Sequence, residues 1–200
     1  QAIRDSNKNV LALHAGDALT GTLYFNRAGQ PGEADAALMN TVCFDAFTLG
    51  NHEFDKGDSG LKQFIDFLHT DPAQCKTPVL SANVQFGANS ALQPQKAPGY
   101  VQPHIVVERD GQKIGIVGLT VAGKTKESSS PDPDTTFEKE ATAAQRSIDQ
   151  LKADGVNKII VMSHIGYVAD KALAAQLRGV DVIVGGDSHT LLGPDSLTSY

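Results

Sequence analysis

The sequence predicts an α/β or layered α+β domain. Short apolar runs alternate with amphipathic segments along the chain, which is the rhythm of strands and helices packed in layers. Its last part reads strand–helix–strand, a unit whose two strands lie parallel in one sheet. The length of 200 residues suits a single domain, and 40% hydrophobic with 20% charged residues is typical of a globular protein.

Strands are predicted where short apolar runs are bounded by turn-forming residues. In chain order these runs are Val10–Ala15, Phe44–Leu49, Pro78–Asn83, Ile105–Arg109, Lys113–Leu119, Lys158–Met162 and Val180–Val184. The pair Asp110-Gly111 separates the fourth run from the fifth. Because both central positions of the tightest hairpin turn need positive φ, this pair predicts a β-hairpin.

Helices are predicted where apolar residues recur every three or four positions. In chain order they are Glu33–Val42, a segment through Leu61–Leu68, a segment through Ala141–Leu151, and Val168–Arg178. Thr135 and Glu138 resemble a capping box that opens the third helix, and Gly155 is expected to close it. The polar, proline-containing stretches 84–103 and 124–136 are expected to be loops. We expect no internal repeat and no second domain.

Composition excludes two classes of protein. The net charge of −6 argues against a surface that binds nucleic-acid polymers. No apolar run approaches the roughly 20 residues that a membrane span requires, so no membrane span is expected. Phosphate chemistry remains open to an acidic protein, since bound metal cations can supply the positive charge.

Polar residues follow four of the predicted strands. They form the strings Gly16-Asp17, Gly50-Asn51-His52-Glu53-Phe54-Asp55, Ser163-His164 and Gly185-Gly186-Asp187-Ser188-His189. Binding sites in open α/β sheets lie outside the carboxyl ends of the strands, so we expect these residues to converge. The glycines before Asp17, Asn51 and Asp187 suit a backbone that turns sharply and approaches a neighbour closely.

Asp, Asn and His together favour Zn²⁺, Mn²⁺, Fe or Mg²⁺, and the lack of Cys argues against a closed structural zinc site. A carboxylate such as Asp17 can bridge two ions about 3.5–4 Å apart, as in two-metal phosphoesterases. Simpler interpretations stay open: a turn aspartate at Asp17, a core histidine at His164, an Asx-turn at Asn51 and a loop histidine at His189.

The strings GDALTGT, LGNHEFD, SANV, SHIGY and VIVGGDSHT resemble the calcineurin-like metallophosphoesterases, in particular the catalytic domain of the bacterial 5′-nucleotidases. The resemblance covers nearly the whole chain, with the motifs in the family's order. It implies a layered α/β sandwich of mixed sheets flanked by helices. It also implies two divalent metal ions, with Zn or Mn as candidates. A metal-activated water would hydrolyse 5′-nucleotides or related nucleotide phosphates.

The resemblance also implies roles for individual residues. Asp17 would be the bridging carboxylate, Asn51, His164 and Asp187 would bind the second metal, and His189 would bind the first.

His52 would contact the phosphate or leaving group, and Asp55 would orient its imidazole. The simpler interpretation of this pair is a local turn hydrogen bond.

The sequence departs from the family in three ways. Asp187 stands where the family usually has His, which makes the site more anionic. The family's opening Asp-x-His motif would lie upstream of Gln1, and its nucleoside-binding domain would follow Tyr200. We therefore expect residues 1–200 to be an incomplete catalytic domain that is inactive alone.

Other functions stay open at this stage. Related enzymes hydrolyse 2′,3′-cyclic nucleotides, UDP-sugars, NAD or sulfur esters, and a non-catalytic binding or surface module could retain the fold. Cys43 and Cys75 each lie just before a predicted strand. If those strands are parallel neighbours, the thiols can form a disulfide, which would fit a periplasmic, secreted or cell-surface protein. The alternative is two buried free thiols.

Overall fold

The computed structural model describes residues 2–19, 21–71, 75–192 and 197–199. Its helices are α1 (Ala2–Ser6), α2 (Leu23–Arg27), α3 (Glu33–Val42), α4 (Gly57–Leu68), α5 (Ala122–Ser128), α6 (Glu140–Ala153) and α7 (Tyr167–Ala174), with a 3₁₀ turn at His52–Phe54. Its strands are β1 (Leu13–His14), β2 (Ala46–Thr48), β3 (Val79–Leu80), β4 (Val84–Gln85), β5 (His104–Arg109), β6 (Gln112–Thr120), β7 (Thr136–Phe137), β8 (Ile159–His164), β9 (Val182–Gly185), β10 (Thr190–Leu192) and β11 (Leu197–Ser199).

Two sheets carry the fold. The first is parallel, in the order β1-β2-β3. The second has the order β5-β6-β8-β9, in which β5 and β6 are antiparallel while β8 runs parallel to both β6 and β9. The predicted hairpin and the predicted strand–helix–strand unit are thus confirmed. Two antiparallel pairs, β4 with β7 and β10 with β11, complete the described strands.

The two sheets pack face to face between layers of helices. Ala46, Leu80, Ile116 and Met162, from β2, β3, β6 and β8, form the apolar layer between the sheets. Side chains alternate across a strand, so the neighbours of these residues point outward. The outer face of the first sheet packs on α3 and α4, and that of the second on α6 and α7. The layered α/β sandwich with mixed sheets is confirmed.

The helices follow the apolar patterns of the sequence. In α4 the side chains of Leu61, Phe64, Ile65 and Leu68 recur at i, i+3, i+4 and i+7, and all are fully buried. The pattern underestimates the length of this helix, which already begins at Gly57. The bounds of α3 are those predicted.

The segment 124–136 is not the loop that its polar composition predicts. It contains most of α5 and the start of β7, which pairs with β4 from the other predicted loop. Thr125 anchors α5, since it is fully buried and its hydroxyl donates to the carbonyl of Val121.

The predicted capping box at Thr135 and Glu138 is also wrong. The Thr135 hydroxyl donates instead to the buried carboxylate of Asp58, and α6 begins later, at Glu140, without a side-chain cap.

A disulfide joins Cys43 and Cys75 with a Cα–Cα distance of 5.5 Å. The strands that follow the two cysteines, β2 and β3, are parallel neighbours, which is the arrangement the prediction required. Within the described ranges, no helix is both long and apolar enough to cross a membrane.

Candidate metal centre

The carboxyl ends of four strands from the two sheets meet at one edge of the sandwich. Asp17 follows β1, Asn51 follows β2, His164 ends β8, and Asp187 follows β9. Ligand atoms of Asp17, His164 and Asp187 all lie within 4.8 Å of one another. The structure therefore brings these three predicted residues together, although they are up to 170 residues apart in sequence.

His164 stands at the centre of this cluster. Its Nε2 lies 3.0 Å from Oδ2 of Asp17 and 3.6 Å from Oδ1 of Asp187. Its Nδ1 lies 2.6 Å from the carbonyl oxygen of Ala15. Because a carbonyl only accepts, Nδ1 carries a proton, and Nε2 faces the two carboxylates. Metal-bound histidines are commonly fixed in this way.

Among the described residues that were predicted to bind metal, two buried polar atoms lack a hydrogen-bond partner: Oδ1 of Asn51 and Nε2 of His164. The distance between Nε2 of His164 and Oδ2 of Asp17 is short, but the arrangement of the two groups is not that of a hydrogen bond. Buried polar atoms nearly always have a partner, so these two call for one. Imidazole nitrogen, amide oxygen and carboxylates are ligands for divalent cations, and the set fits such an ion.

The pKa shifts in the cluster reflect the same charge pairing. Burial opposes ionisation of Asp17, but the His164 imidazole and the His52 N–H outweigh it, so the pKa of Asp17 is lowered. Burial likewise opposes protonation of His164, but the Asp17 carboxylate outweighs it, so the pKa of His164 is raised. The carboxylates thus favour a positive charge at Nε2, which a proton or a cation can provide.

The predicted close approach at the three glycines is confirmed. A Cβ on Gly50 would lie 2.7 Å from the backbone nitrogen of Asp17, and one on Gly16 would lie 2.8 Å from that of Gly50. A Cβ on Gly186 would collide with the carbonyl of Ala15. Gly16 also has a φ of 95°, which side chains rarely adopt. The strand ends are therefore too close together for any larger residue.

The backbone at the predicted ligands is strained. Five non-glycine residues of the described chain have positive φ, and three belong to the predicted ligand set: Asp17 at 56°, Asp187 at 73° and His189 at 50°. Such conformations cost free energy and cluster at functional sites.

Glu53 binds the loops after β1 and β2 together. Its fully buried carboxylate accepts hydrogen bonds from the backbone N–H groups of Asp17, Leu19 and Gly50, at 2.9, 3.1 and 2.6 Å. Burial and the charge of Asp17 raise the pKa of Glu53 in spite of these donors.

His52 and Asp55 form a pair beside the cluster. Nδ1 of His52 lies 2.7 Å from Oδ2 of Asp55, and the backbone N–H of His52 donates to Oδ1 of Asp17 at 3.0 Å. The hydrogen bond to Asp55 raises the pKa of His52. Both side chains are partly exposed, unlike Asn51, which is buried. The predicted contact between imidazole and carboxylate is present.

His189 is exposed and lies outside the 4.8 Å cluster formed by the described acidic and histidine side chains. It lines a cavity of about 780 Å³ together with Asp17, His164 and Asp187. The structure therefore places His189 on the wall of the same cavity, without bringing it into the cluster of Asp17, His164 and Asp187.

The SANV string, residues 81–84, lies beneath the candidate metal centre and links the two sheets through hydrogen bonds. Thr120, at the end of β6, donates through its hydroxyl to the carbonyl of Leu49 and through its N–H to Oδ1 of Asn83, both at 2.9 Å. The Ser81 hydroxyl lies 2.8 Å from that of Thr120. These buried hydrogen bonds tie β3 and β6 to the loop that carries Asn51.

Sequence reasoning missed Lys124, whose ammonium group forms an ion pair with Oδ1 of Asp187. Lys124 lies in α5, just after β6, so it belongs to a fifth strand end at the same edge. The sequence contained this signal, but the interpretation of 124–136 as a surface loop concealed it.

Fold and site together define a layered α/β domain that presents a candidate metal centre at the ends of its strands. The model of the calcineurin-like phosphoesterases matches residues 1–191, and the chain belongs to that family. The resemblance drawn from the motifs is confirmed.

Three relatives illustrate the similarity. A probable 5′-nucleotidase of Treponema pallidum is 48% identical over 197 residues, which cover 98% of this chain and 31% of that protein. The structure of the NAD nucleotidase of Haemophilus influenzae has a TM-score of 0.84 at 45% identity and covers 97% of this chain and 36% of its own. A 5′-nucleotidase precursor from Thermus thermophilus has a TM-score of 0.82 at 42% identity, covering 96% and 35%. The chain thus spans about a third of the length of these relatives.

Proposed function

We propose that the protein containing this chain is a metal-dependent phosphoesterase that hydrolyses 5′-nucleotides or related nucleotide phosphates. The observation that carries the proposal is the cluster of Asp17, His164 and Asp187 beside the unpartnered Oδ1 of Asn51. The names of the similar proteins, 5′-nucleotidases and an NAD nucleotidase, support nucleotides as the substrate class.

Two divalent cations, Zn or Mn, are proposed for the centre. Asn51, His164 and Asp187 would hold one of them, Asp17 would bridge, and His189 would contribute to the other. The chemistry that such ions supply is stabilisation of phosphoryl oxygens and a lowered pKa for a water molecule.

The His52–Asp55 pair is proposed to act on the substrate and not on the metal. The carboxylate of Asp55 accepts a hydrogen bond from Nδ1–H of His52 at 2.7 Å and fixes the ring, which leaves Nε2 to meet a phosphate or leaving-group oxygen. Asn51 and His52 are adjacent, so their side chains leave the backbone in different directions. One residue can therefore serve the metal while the next serves the substrate.

Hydrolysis by the full-length protein tests the function. We expect phosphate release from AMP or from a related nucleotide, loss of that release after chelation, and recovery with added Mn²⁺ or Zn²⁺. His104→Ala, which changes a histidine outside the predicted site, is the matched control for His164→Ala and should retain activity. Bound metal without turnover of p-nitrophenyl phosphate or of any nucleotide would favour the binding-module alternative. Preferred turnover of cyclic nucleotides, UDP-sugars, NAD or sulfur esters would favour a related hydrolase.

An exported location, periplasmic, secreted or cell-surface, is proposed from the disulfide. Disulfides persist in oxidising compartments and are rare in the cytosol. Fractionation of cells that express the full-length protein would test this location, and a cytosolic pool with free thiols would contradict it.

A further inference from the structure

Lys124 reaches the metal centre from an element that contributes none of the predicted ligands. In the register of β6 and β8, Thr120 pairs with His164, so the two strands end side by side. The helix α5 begins two residues after Thr120 and carries Lys124 in its first turn. The fold thereby places a lysine over the strand edge where the carboxylates meet.

The ion pair engages the atom that faces the centre. Lys124 contacts Oδ1 of Asp187, and the same oxygen lies 3.6 Å from Nε2 of His164. The Asp187 side chain is only 16% exposed, whereas that of Lys124 is 45% exposed. The ion pair therefore joins a largely buried carboxylate to a lysine side chain that is about half exposed to solvent.

The negative charge at this edge of the sheets explains why a cationic group lies beside Asp187. Four acidic groups lie at this edge: Asp17, Asp187, Asp170 and the buried Glu53. An uncompensated carboxylate in such a place is destabilising, and a lysine on a flexible stem is a suitable mobile counter-ion. A divalent cation bound at Oδ1 of Asp187 would repel the ammonium group at the same oxygen.

We propose that Lys124 is the resident counter-ion of Asp187 and that it competes with a divalent cation for this carboxylate. The proposal rests on the proposed function in one respect, that Asp187 is a metal ligand. When the cation binds, Lys124 leaves Oδ1. The ion pair thus lowers the affinity of the site for metal, and it does so through Asp187. A partly exposed pair of this kind corresponds to an effect of about two- to fivefold on the dissociation constant.

Calorimetric titration of the metal-free full-length protein with Mn²⁺ tests this competition. Lys124→Met should bind Mn²⁺ about two- to fivefold more tightly than the unmodified protein, and Lys124→Arg, which keeps the charge, should stay close to it. Lys126→Met is the matched control, because it removes the same charge from the exposed side of the same helix. It should leave the dissociation constant unchanged.

A second pair of variants assigns the effect to Asp187. Asp187→His keeps a ligand but removes the anionic partner, so adding Lys124→Met in this background should no longer tighten binding. Weaker or unchanged binding in Lys124→Met overturns the proposal, as does equal tightening in Lys126→Met or persistence of the effect beside Asp187→His.

The titration also separates this proposal from the proposed function. Absence of Mn²⁺ binding to the unmodified protein overturns both. A Lys124 effect in a protein that hydrolyses no nucleotide overturns only the enzymatic assignment.

Discussion

At the scale of single residues, the proposed function assigns some atoms of the candidate site to a cation and others to the substrate. Oδ1 of Asn51 and Nε2 of His164 are buried and unpartnered among the described residues, whereas His52 and Asp55 are partly exposed and already paired. Substitutions in the two groups should therefore fail in different ways, which gives two predictions.

Loss of metal is the first expected failure. Asn51→Ala and His164→Ala each remove one neutral ligand, so the full-length protein should lose about one equivalent of bound metal and regain part of it in excess metal. Elemental analysis of purified variants checks this. Full occupancy in both variants would mean that neither side chain is a ligand.

The second expected failure is a lower catalytic rate without any loss of bound metal. His52→Ala should lower kcat by about 10²–10⁴-fold with metal content unchanged, because positioned acid–base groups typically contribute that much. Asp55→Ala should cause a smaller loss, since it only orients the ring. Kinetics and metal analysis on the same preparations are the measurement. A His52→Ala protein that loses its metal would make His52 a ligand, and one with full kcat would support the binding-module alternative.

The residues of the site were more predictable than the contacts among them. Asp17, His164 and Asp187 could be predicted to converge because each lies at the carboxyl end of a strand in an open α/β sheet. The contacts that Lys124 and His189 make could not be predicted, since both depend on how short segments beyond the strands fold. A polar sequence such as that of α5 carries little periodic signal, because one buried threonine is its anchor.

At the scale of elements, the sequence predicted buried segments well and polar ones poorly. The bounds of α3 agree with the prediction, and the hairpin turn at Asp110 and Gly111 has the expected positive φ values. The three strands of the first sheet are shorter than predicted: the run Val10–Ala15 contributes only Leu13 and His14 to that sheet. In the second sheet β5, β6 and β8 are slightly longer than predicted, and only β9 is shorter. The apolar runs continue beyond the paired residues because the ends of the sheets are themselves packed. Hydrophobicity reports burial, whereas pairing requires a neighbouring strand.

The disulfide should stabilise the layer formed by α3, β2 and β3. It closes a loop with a sequence separation of 32 residues, for which the chain-entropy relation gives about 3–4 kcal/mol. Cys43→Ser with Cys75→Ser should lower the free energy of unfolding by about that amount. Urea unfolding measured with and without dithiothreitol checks it, and the reductant should have no effect on the double variant. An equal response of both proteins to the reductant would contradict the prediction.

At the scale of the whole molecule, the candidate centre lies where two sheets end. The chain spans about a third of the length of its relatives. In the proposed two-metal centre, most of the predicted ligands belong to one metal position, and the other has only Asp17 and His189. Residues 1–200 alone are therefore expected to bind at most one metal well and to show little nucleotide turnover. Parallel assays of this segment and of the full-length protein measure it. Comparable turnover by both would overturn the expectation.

The single carboxylate of Glu53 has a consequence for motion. Three backbone amides from two loops share this one acceptor, so none of them can open to water without weakening the hold on the others. Hydrogen exchange at Asp17, Leu19 and Gly50 should accordingly be slow and should occur as one cooperative opening. The loops beside Asp17 and Asn51 are thus preorganised before any ion arrives, and little ordering entropy opposes its binding.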